Sequence, residues 1–278
     1  MNACQKRYDV SVIIPTYNRA WIVREAIDSV IQQKTQDIEI IVVNDGSIDH
    51  TSGILNEYED KIRVIDQPNK GVSAARNTGI RNSSGQFIAF LDSDDYWLPE
   101  KLSSQIRFFQ MNPDAFIGQT QEIWIRNGIR IYPQKKHQKQ SGYFFERSLE
   151  MCLISPSAVM LKRSLLDEVG LFDETLPACE DYDFWLRVTL NYPVFLIDEP
   201  LVVKRGGHDD QLSQQPLLDQ YRIYAIQKVL QNQSLPFNQY QAAVRIFKKK
   251  CSIVAKGCEK RGKKNEAMYY WDLSESVK

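Results

Sequence analysis

The sequence has no net charge, its 35 Lys and Arg being matched by 35 Asp and Glu. No overall field therefore draws it to nucleic acid, and a charged partner has to be argued from a local cluster. Cysteine is sparse. Cys4, Cys152, Cys179, Cys251 and Cys258 are odd in number and widely spread, with no CxxC pair. That spacing suggests neither a zinc site nor a disulfide framework and suits reduced thiols in the cytoplasm. No run reaches the roughly 18 continuous apolar residues of a membrane-spanning helix. The opening MNACQKRYDV has no apolar stretch of the secretory kind. A soluble, cytoplasmic chain is expected, with peripheral contact at the inner face of a membrane left open.

What is present is an alternation of short buried strands and amphipathic helices. Residues 10–14, 38–43, 62–65 and 87–91 are β-branched or apolar runs that end at polar loops. Between them, residues 21–33 repeat apolar pairs every four positions, and residues 51–58 and 71–81 also read as helices. Such an alternation predicts an α/β fold with a mostly parallel sheet covered on both faces. The middle is less regular. A helix is expected from Pro99 to about 110, a hairpin around Asn127-Gly128, and a loop over the wholly polar residues 134–140. Further on, residues 158–161 suggest a strand, 163–169 a short helix ended by Gly170, and 181–190 an amphipathic helix. Residues 194–197 and 201–203 read as two short strands around Pro200. After Pro216 the pattern turns to long helices over 217–231, 239–255 and 263–273, the last two forming a hairpin. We expect a main domain over residues 1–215 and a small helical region over 216–278.

The polar clusters fall just after strands: Thr16-Tyr17-Asn18, Asn44-Asp45-Gly46 and Asp92-Ser93-Asp94. In an open α/β sheet the loops at strand C-terminal ends form the ligand crevice. Asp92 and Asp94, one residue apart after the apolar strand FIAFL, can share a divalent cation, with Asp95 as an extra or supporting group. Hard oxygen ligands suit Mg²⁺ or Mn²⁺. The plainer alternative is a solvated acidic turn before the helix at Pro99.

Five segments together resemble the inverting family 2 glycosyltransferases: VSVIIPTYNR (10–19), EIIVVNDGSIDHT (39–51), NKGVSAARNTGI (69–80), FIAFLDSDD (87–95) and CEDYDFWLR (179–187). The resemblance runs over residues 8–212 and implies the GT-A fold, a Rossmann-like nucleotide-diphospho-sugar transferase architecture. It also implies metal-dependent transfer from a nucleotide-sugar donor, a uridine diphosphate sugar by default, to the hydroxyl of a glycan or lipid-linked acceptor. The implied setting is polysaccharide or glycoconjugate biosynthesis. By the same resemblance Pro15, Thr16 and Tyr17 line the base pocket, Asp45 hydrogen-bonds the base, and Arg76 lies near the base or phosphates. Asp92 contacts the ribose and metal side, and Asp94 ligates the metal. The Glu180-Asp181 pair supplies the catalytic base, with Asp181 preferred. The plain alternative for that pair is acids at a helix start, favoured by the macrodipole.

His208, within RGGHDDQLS (205–213), is one of only 3 histidines. The resemblance puts it over the diphosphate or at the metal, with a Ser a few residues on; otherwise the stretch is a surface turn. Trp97, Phe184 and Trp185 read as core, though Trp97 could border the acceptor. His50 and His137 have no evident partners. Lys248, Lys249 and Lys250, with Lys256, Lys260, Arg261, Lys263 and Lys264, read as a solvated helix face, with anionic lipid as the alternative. Residues 133–142 are a candidate flap. Two rivals remain. A sugar nucleotidyltransferase would need a Gly-rich loop after the first strand, where this chain has Pro15-Thr16-Tyr17-Asn18-Arg19. A non-catalytic sugar-nucleotide-binding protein would be expected to lose Asp94 or Asp181.

Overall fold

The computed structural model describes residues 9–35, 37–58, 60–208, 211, 217–232 and 234–277. Cys4, Asp209, Asp210, Ser213 and the expected boundary between 215 and 216 lie outside the described residues.

The first half alternates as expected: β1 (Val10–Thr16), α1 (Val23–Ile31), β2 (Ile38–Asn44), α2 (Thr51–Asn56), β3 (Arg63–Asp66), α3 (Val72–Arg81) and β4 (Phe87–Phe90). β1 is buried along its whole length because parallel neighbours pair with both its edges. The parallel block has the order β3-β2-β1-β4, with Thr16 opposite Asn44 and Ile13 opposite Phe90. α1 turns Val23, Ala26, Ile27 and Val30 onto one face of the sheet. On the other face, α3 lies so close to β1 that a Cβ built at Gly79 would meet Ile13 Cγ2 at 2.4 Å. Only glycine fits there.

The sheet then becomes mixed. β5 (Tyr96–Trp97) and α4 (Lys101–Met111) are followed by the hairpin β6 (Ile117–Arg126) and β7 (Ile129–Ile131) around Asn127-Gly128. A 3₁₀ turn at Lys135–His137, α5 (Phe145–Glu150) and a second 3₁₀ turn at Pro156–Ala158 lead into β8 (Val159–Lys162). Next come α6 (Arg163–Val169), α7 (Glu180–Asn191) and β9 (Phe195–Gly206). β8 joins β4 and β6 antiparallel, and β9 pairs parallel with β6 and antiparallel with β5.

One expectation needs correction here. The two short strands around Pro200 are one strand, β9, because register shifts at Thr120/Gln121 and Gln121/Glu122 absorb the proline. Residues 134–140 form a loop apart from the 3₁₀ turn at Lys135–His137, and one of their side chains turns inward. Lys139 is buried, with its Nζ 3.2 Å from Glu122 Oε1 and 3.1 Å from Gln119 Oε1.

The C-terminal helices are α8 (Leu218–Leu230), α9 (Phe237–Lys260) and α10 (Lys264–Glu275). Ile223, Ile226, Ala243 and Phe247 share one apolar cluster with Phe145 and Leu149 of α5 and Tyr182 and Leu186 of α7. No helix among the described residues is long and apolar enough to cross a membrane. Cys152, Cys179, Cys251 and Cys258 are free thiols.

Candidate active site

β2, β1 and β4 lie side by side and run the same way, so the loops after them share one edge of the sheet. Asn18, in the left-handed region at φ 51°, ties two of these loops together. Its backbone N–H donates to Ser47 Oγ at 2.9 Å, and its Oδ1 accepts from the Ile48 N–H at 2.9 Å. The third loop is held from β8's side of the sheet by Ser157. Its hydroxyl donates to Asp95 Oδ2 at 2.7 Å and accepts from the Asp92 N–H at 3.1 Å. Asp95 Oδ1 also takes the Arg205 N–H at 2.8 Å. Asp95 is thus a brace of the turn.

Above these loops is a cavity of about 1010 Å³, the upper end of ordinary ligand pockets. Pro15, Thr16, Tyr17, Asp45, Arg76 and Asp92 line it, together with Asp94, Glu180 and Asp181. The residues singled out in the sequence are therefore brought together. The first turn of α7 joins the lining and sets two adjacent carboxylates in different surroundings. Glu180 is buried, its Oε1 2.7 Å from Arg76 Nη1. Asp181 is partly exposed, accepts the Tyr182 N–H at 2.7 Å, and lies 3.4 Å from the Cys152 thiol.

Arg76, 3% exposed, uses its other terminal nitrogen on Asp92 Oδ1 at 2.7 Å. Burial alone would weaken its charge, but Asp92 and Glu180 hold the guanidinium above its ordinary pKa. For Glu180 burial dominates and pushes the carboxyl up, against the pull of Arg76. Arg76, expected near base or phosphates, forms a bridge between two carboxylates.

Asp45 is similarly engaged. Its Oδ1 accepts from Gln67 Nε2 at 2.7 Å and the Lys70 N–H at 2.9 Å, and its Oδ2 from the Gly71 N–H at 2.8 Å. Gly71 has φ 87°, which glycine adopts without strain, so the carboxylate shapes the turn that opens α3.

Asp94 Oδ2 and His208 Nε2 approach to 2.8 Å across 114 residues. Burial and the neighbouring Asp92 push the Asp94 carboxyl above its usual range. An anion so placed is suited to a divalent cation. Among the described residues no third His, Cys, Asp or Glu completes a cage with them. Asp94 and His208 are the side chains that could hold a divalent cation, and ligand oxygens would have to complete its shell.

The sequence did not signal Lys204, Cys152 or Arg222 as part of this wall. Lys204 reaches from β9 to 3.4 Å from Ser155 Oγ and over the Trp124 ring at 5.9 Å. Burial would lower its ammonium, but Glu122, Asp95, Asp92 and Asp181 hold it above its ordinary value. Of the aromatics expected in the core, Trp97, Phe184 and Trp185 are all buried.

Residues 11–170 match the family described as glycosyl transferase family 2. The chain belongs to that family. An uncharacterized glycosyltransferase of Rickettsia typhi is 36% identical over 219 residues, covering 76% of this chain and 69% of the relative. A second, from Rickettsia felis, is 33% identical, but this chain spans only 35% of its length. Escherichia coli WfgD, a UDP-Glc:alpha-D-GlcNAc-diphosphoundecaprenol beta-1,3-glucosyltransferase, is 35% identical over 65% of this chain and 70% of its own. The fold is that of GT-A glycosyltransferases. S. aureus TarS 1–349 in complex with UDP-GlcNAc superposes with a TM-score of 0.71 at 23% identity, over 87% of this chain and 71% of TarS. The mannosyltransferase PcManGT of Pyrobaculum calidifontis, in complex with GDP-Man and Mn²⁺, gives 0.64 at 15% identity, over 98% and 85% of the two chains. Family membership replaces the nucleotidyltransferase alternative.

Proposed function

We propose that this family 2 chain transfers a hexosyl group from a nucleotide-sugar, a UDP-sugar first, to a hydroxyl of an acceptor sugar borne on a lipid diphosphate, with inversion. The observation that carries the reading is the contrast between Glu180 and Asp181. Arg76 occupies the buried Glu180 carboxylate, while Asp181 is partly exposed in the lining of the cavity.

Asp181 then acts as general base. Its carboxylate takes the proton of the acceptor hydroxyl as that oxygen attacks the anomeric carbon from the side opposite the leaving diphosphate. Its orientation is set by the Tyr182 N–H and the Cys152 thiol, which burial keeps protonated. Pro15, Thr16, Tyr17 and the Asp45-supported turn bind the nucleoside, and Asp92 serves the ribose side. Mn²⁺ or Mg²⁺ at Asp94 and His208, with Asp92 adjacent, would supply positive charge to the departing diphosphate. The lipid-diphosphate acceptor is supported by the acceptor that WfgD's name states. A chain acting on such an acceptor would work at the cytoplasmic face of a membrane, and residues 216–278 would be its helical appendage.

The test is a transfer assay with a panel of nucleotide-sugars and a diphosphoryl-alkyl acceptor, run on wild type and Asp181→Asn. The variant should bind donor normally and lose at least about a thousandfold in kcat. Full-rate transfer by Asp181→Asn removes the base assignment. An inactive wild type across the panel removes the substrate reading.

A further inference from the structure

The cavity wall beside the base is completed by α8, through Leu218 and Arg222. α8 is fixed there firmly. Lys228 Nζ lies 2.8 Å from both Asp173 Oδ2 and Asp183 Oδ1, and Ile223 and Ile226 pack with Tyr182 and Leu186 of α7. Arg222 sits one turn before Ile226, next to Cys179 and Tyr182 at the start of α7.

Arg222 Nη1 is 3.0 Å from Asp219 Oδ1, and Lys250 of α9 contacts that same oxygen at 3.1 Å. Two cations share one carboxylate oxygen. In addition, Arg222 Nε is buried without a hydrogen-bond partner. A buried guanidinium donor left unmatched beside a cavity, on a side chain that shares its carboxylate with a second cation, is the arrangement an anionic ligand would satisfy. Guanidinium geometry suits phosphate oxygens in particular.

We propose that Arg222, held by Asp219 and backed by Lys250, binds the phosphate oxygens adjoining the acceptor sugar. This makes the C-terminal helices part of the acceptor subsite. It rests on the diphosphate-borne acceptor of the proposed function, and it gives that acceptor a second anchor on the same side as Asp181. An acceptor gripped by its phosphate would present the neighbouring sugar hydroxyl to the base.

The experiment is binding, without turnover. With the donor site filled by UDP and Mn²⁺, titration calorimetry compares N-acetylglucosaminyl diphosphoryl decane with decyl N-acetylglucosaminide. The wild-type chain should prefer the diphosphoryl ligand by about tenfold or more. Arg222→Gln should abolish most of that preference, and Arg222→Lys should keep part of it. No preference in the wild type overturns the proposal, and that comparison needs no variant to fold. A preference that survives Arg222→Gln, or an equal loss for both ligands, overturns it as well. Transfer is scored separately, so a chain that shows the preference but transfers nothing sinks the transferase reading and leaves the subsite standing.

Discussion

Arg76 Nη1 and Glu180 Oε1 meet at 2.7 Å across 104 residues of sequence, joining α3 to the first turn of α7. The same guanidinium holds Asp92. Removing it strands a buried glutamate and frees an aspartate at the cavity edge. Arg76→Met should therefore lose about 3–5 kcal/mol of stability in urea unfolding, the cost of breaking a buried pair from one side. Arg76→Lys keeps the charge without the two-pronged reach and should lose less. A Met variant within about 0.5 kcal/mol of wild type would show that the bridge has no structural weight.

The contact between Asp94 and His208 gives a second prediction. If these two side chains hold a divalent cation with the ligand's phosphates, Asp94→Asn and His208→Ala should each weaken Mn²⁺-dependent UDP binding. The expected change is about 10–100-fold in the Mn²⁺ needed for half-saturation. Calorimetry at fixed UDP measures it, and an unchanged Mn²⁺ requirement in both variants rules out the metal assignment.

Glu122 gives a dependence on acid. Burial would raise its carboxyl, but Lys139 and Lys204 bring it down to about 2. A folded-state value below the unfolded one stabilises the fold above the ordinary carboxylate range, and that contribution disappears as pH falls through about 2. Glu122→Gln should be less stable than wild type at pH 7 by up to about 3 kcal/mol. The figure is an upper one, because burial pulls Lys139 below its usual value and offsets part of the gain. Urea melts from pH 7 down to 2.5 should show the two proteins converging. A gap that stays constant with pH would mean that Glu122 contributes through packing alone.

Lys101 carries the opposite sign. It is fully buried, its Nζ 3.1 Å from the Val159 carbonyl and 3.6 Å from the Trp97 ring centre, and burial pushes it well below the ordinary lysine value. At neutral pH the fold works against its protonation. The wild type should gain stability as pH rises from the depressed value toward about 10.4, where the unfolded chain loses the same proton. Lys101→Met should raise the melting temperature at pH 7, with an advantage that shrinks by pH 10. A lower melting temperature at pH 7 would show that the Trp97 and Val159 contacts outweigh the burial.

The parallel half of the sheet was legible because Val10, Ile13, Ile41 and Val42 belong to β-branched runs long enough to announce buried strands. β5 was not, since two residues, Tyr96 and Trp97, carry no period. β9 read as two strands because Pro200 interrupts the pattern, and a bulge is a property of the pairing rather than of either segment. That Thr16, Tyr17, Asp45, Asp92 and Asp94 share one edge followed from loop chemistry after strands, whereas their roles came only from the family resemblance. Lys204, Cys152 and Arg222 escaped because each has its role only through a distant partner: Ser155, Asp181 and Asp219 with Lys250, respectively. Lys139 was hidden for the same reason, since its polar neighbours suggest solvent and only Glu122 explains its burial.

The family match ends at residue 170, whereas Glu180, Asp181, Lys204 and Arg222 all come later yet wall the same cavity, and His208 reaches Asp94 of that lining. By the proposed function, the chain divides into a front half that would hold the nucleotide and a back half mounted on α7, β9 and α8. On the proposed reading, substitutions in the back half could redirect the sugar to another acceptor while the nucleotide loops stay as they are. A chimera joining the front of this chain to the back of a relative should follow the relative in what it glycosylates and this chain in what it spends.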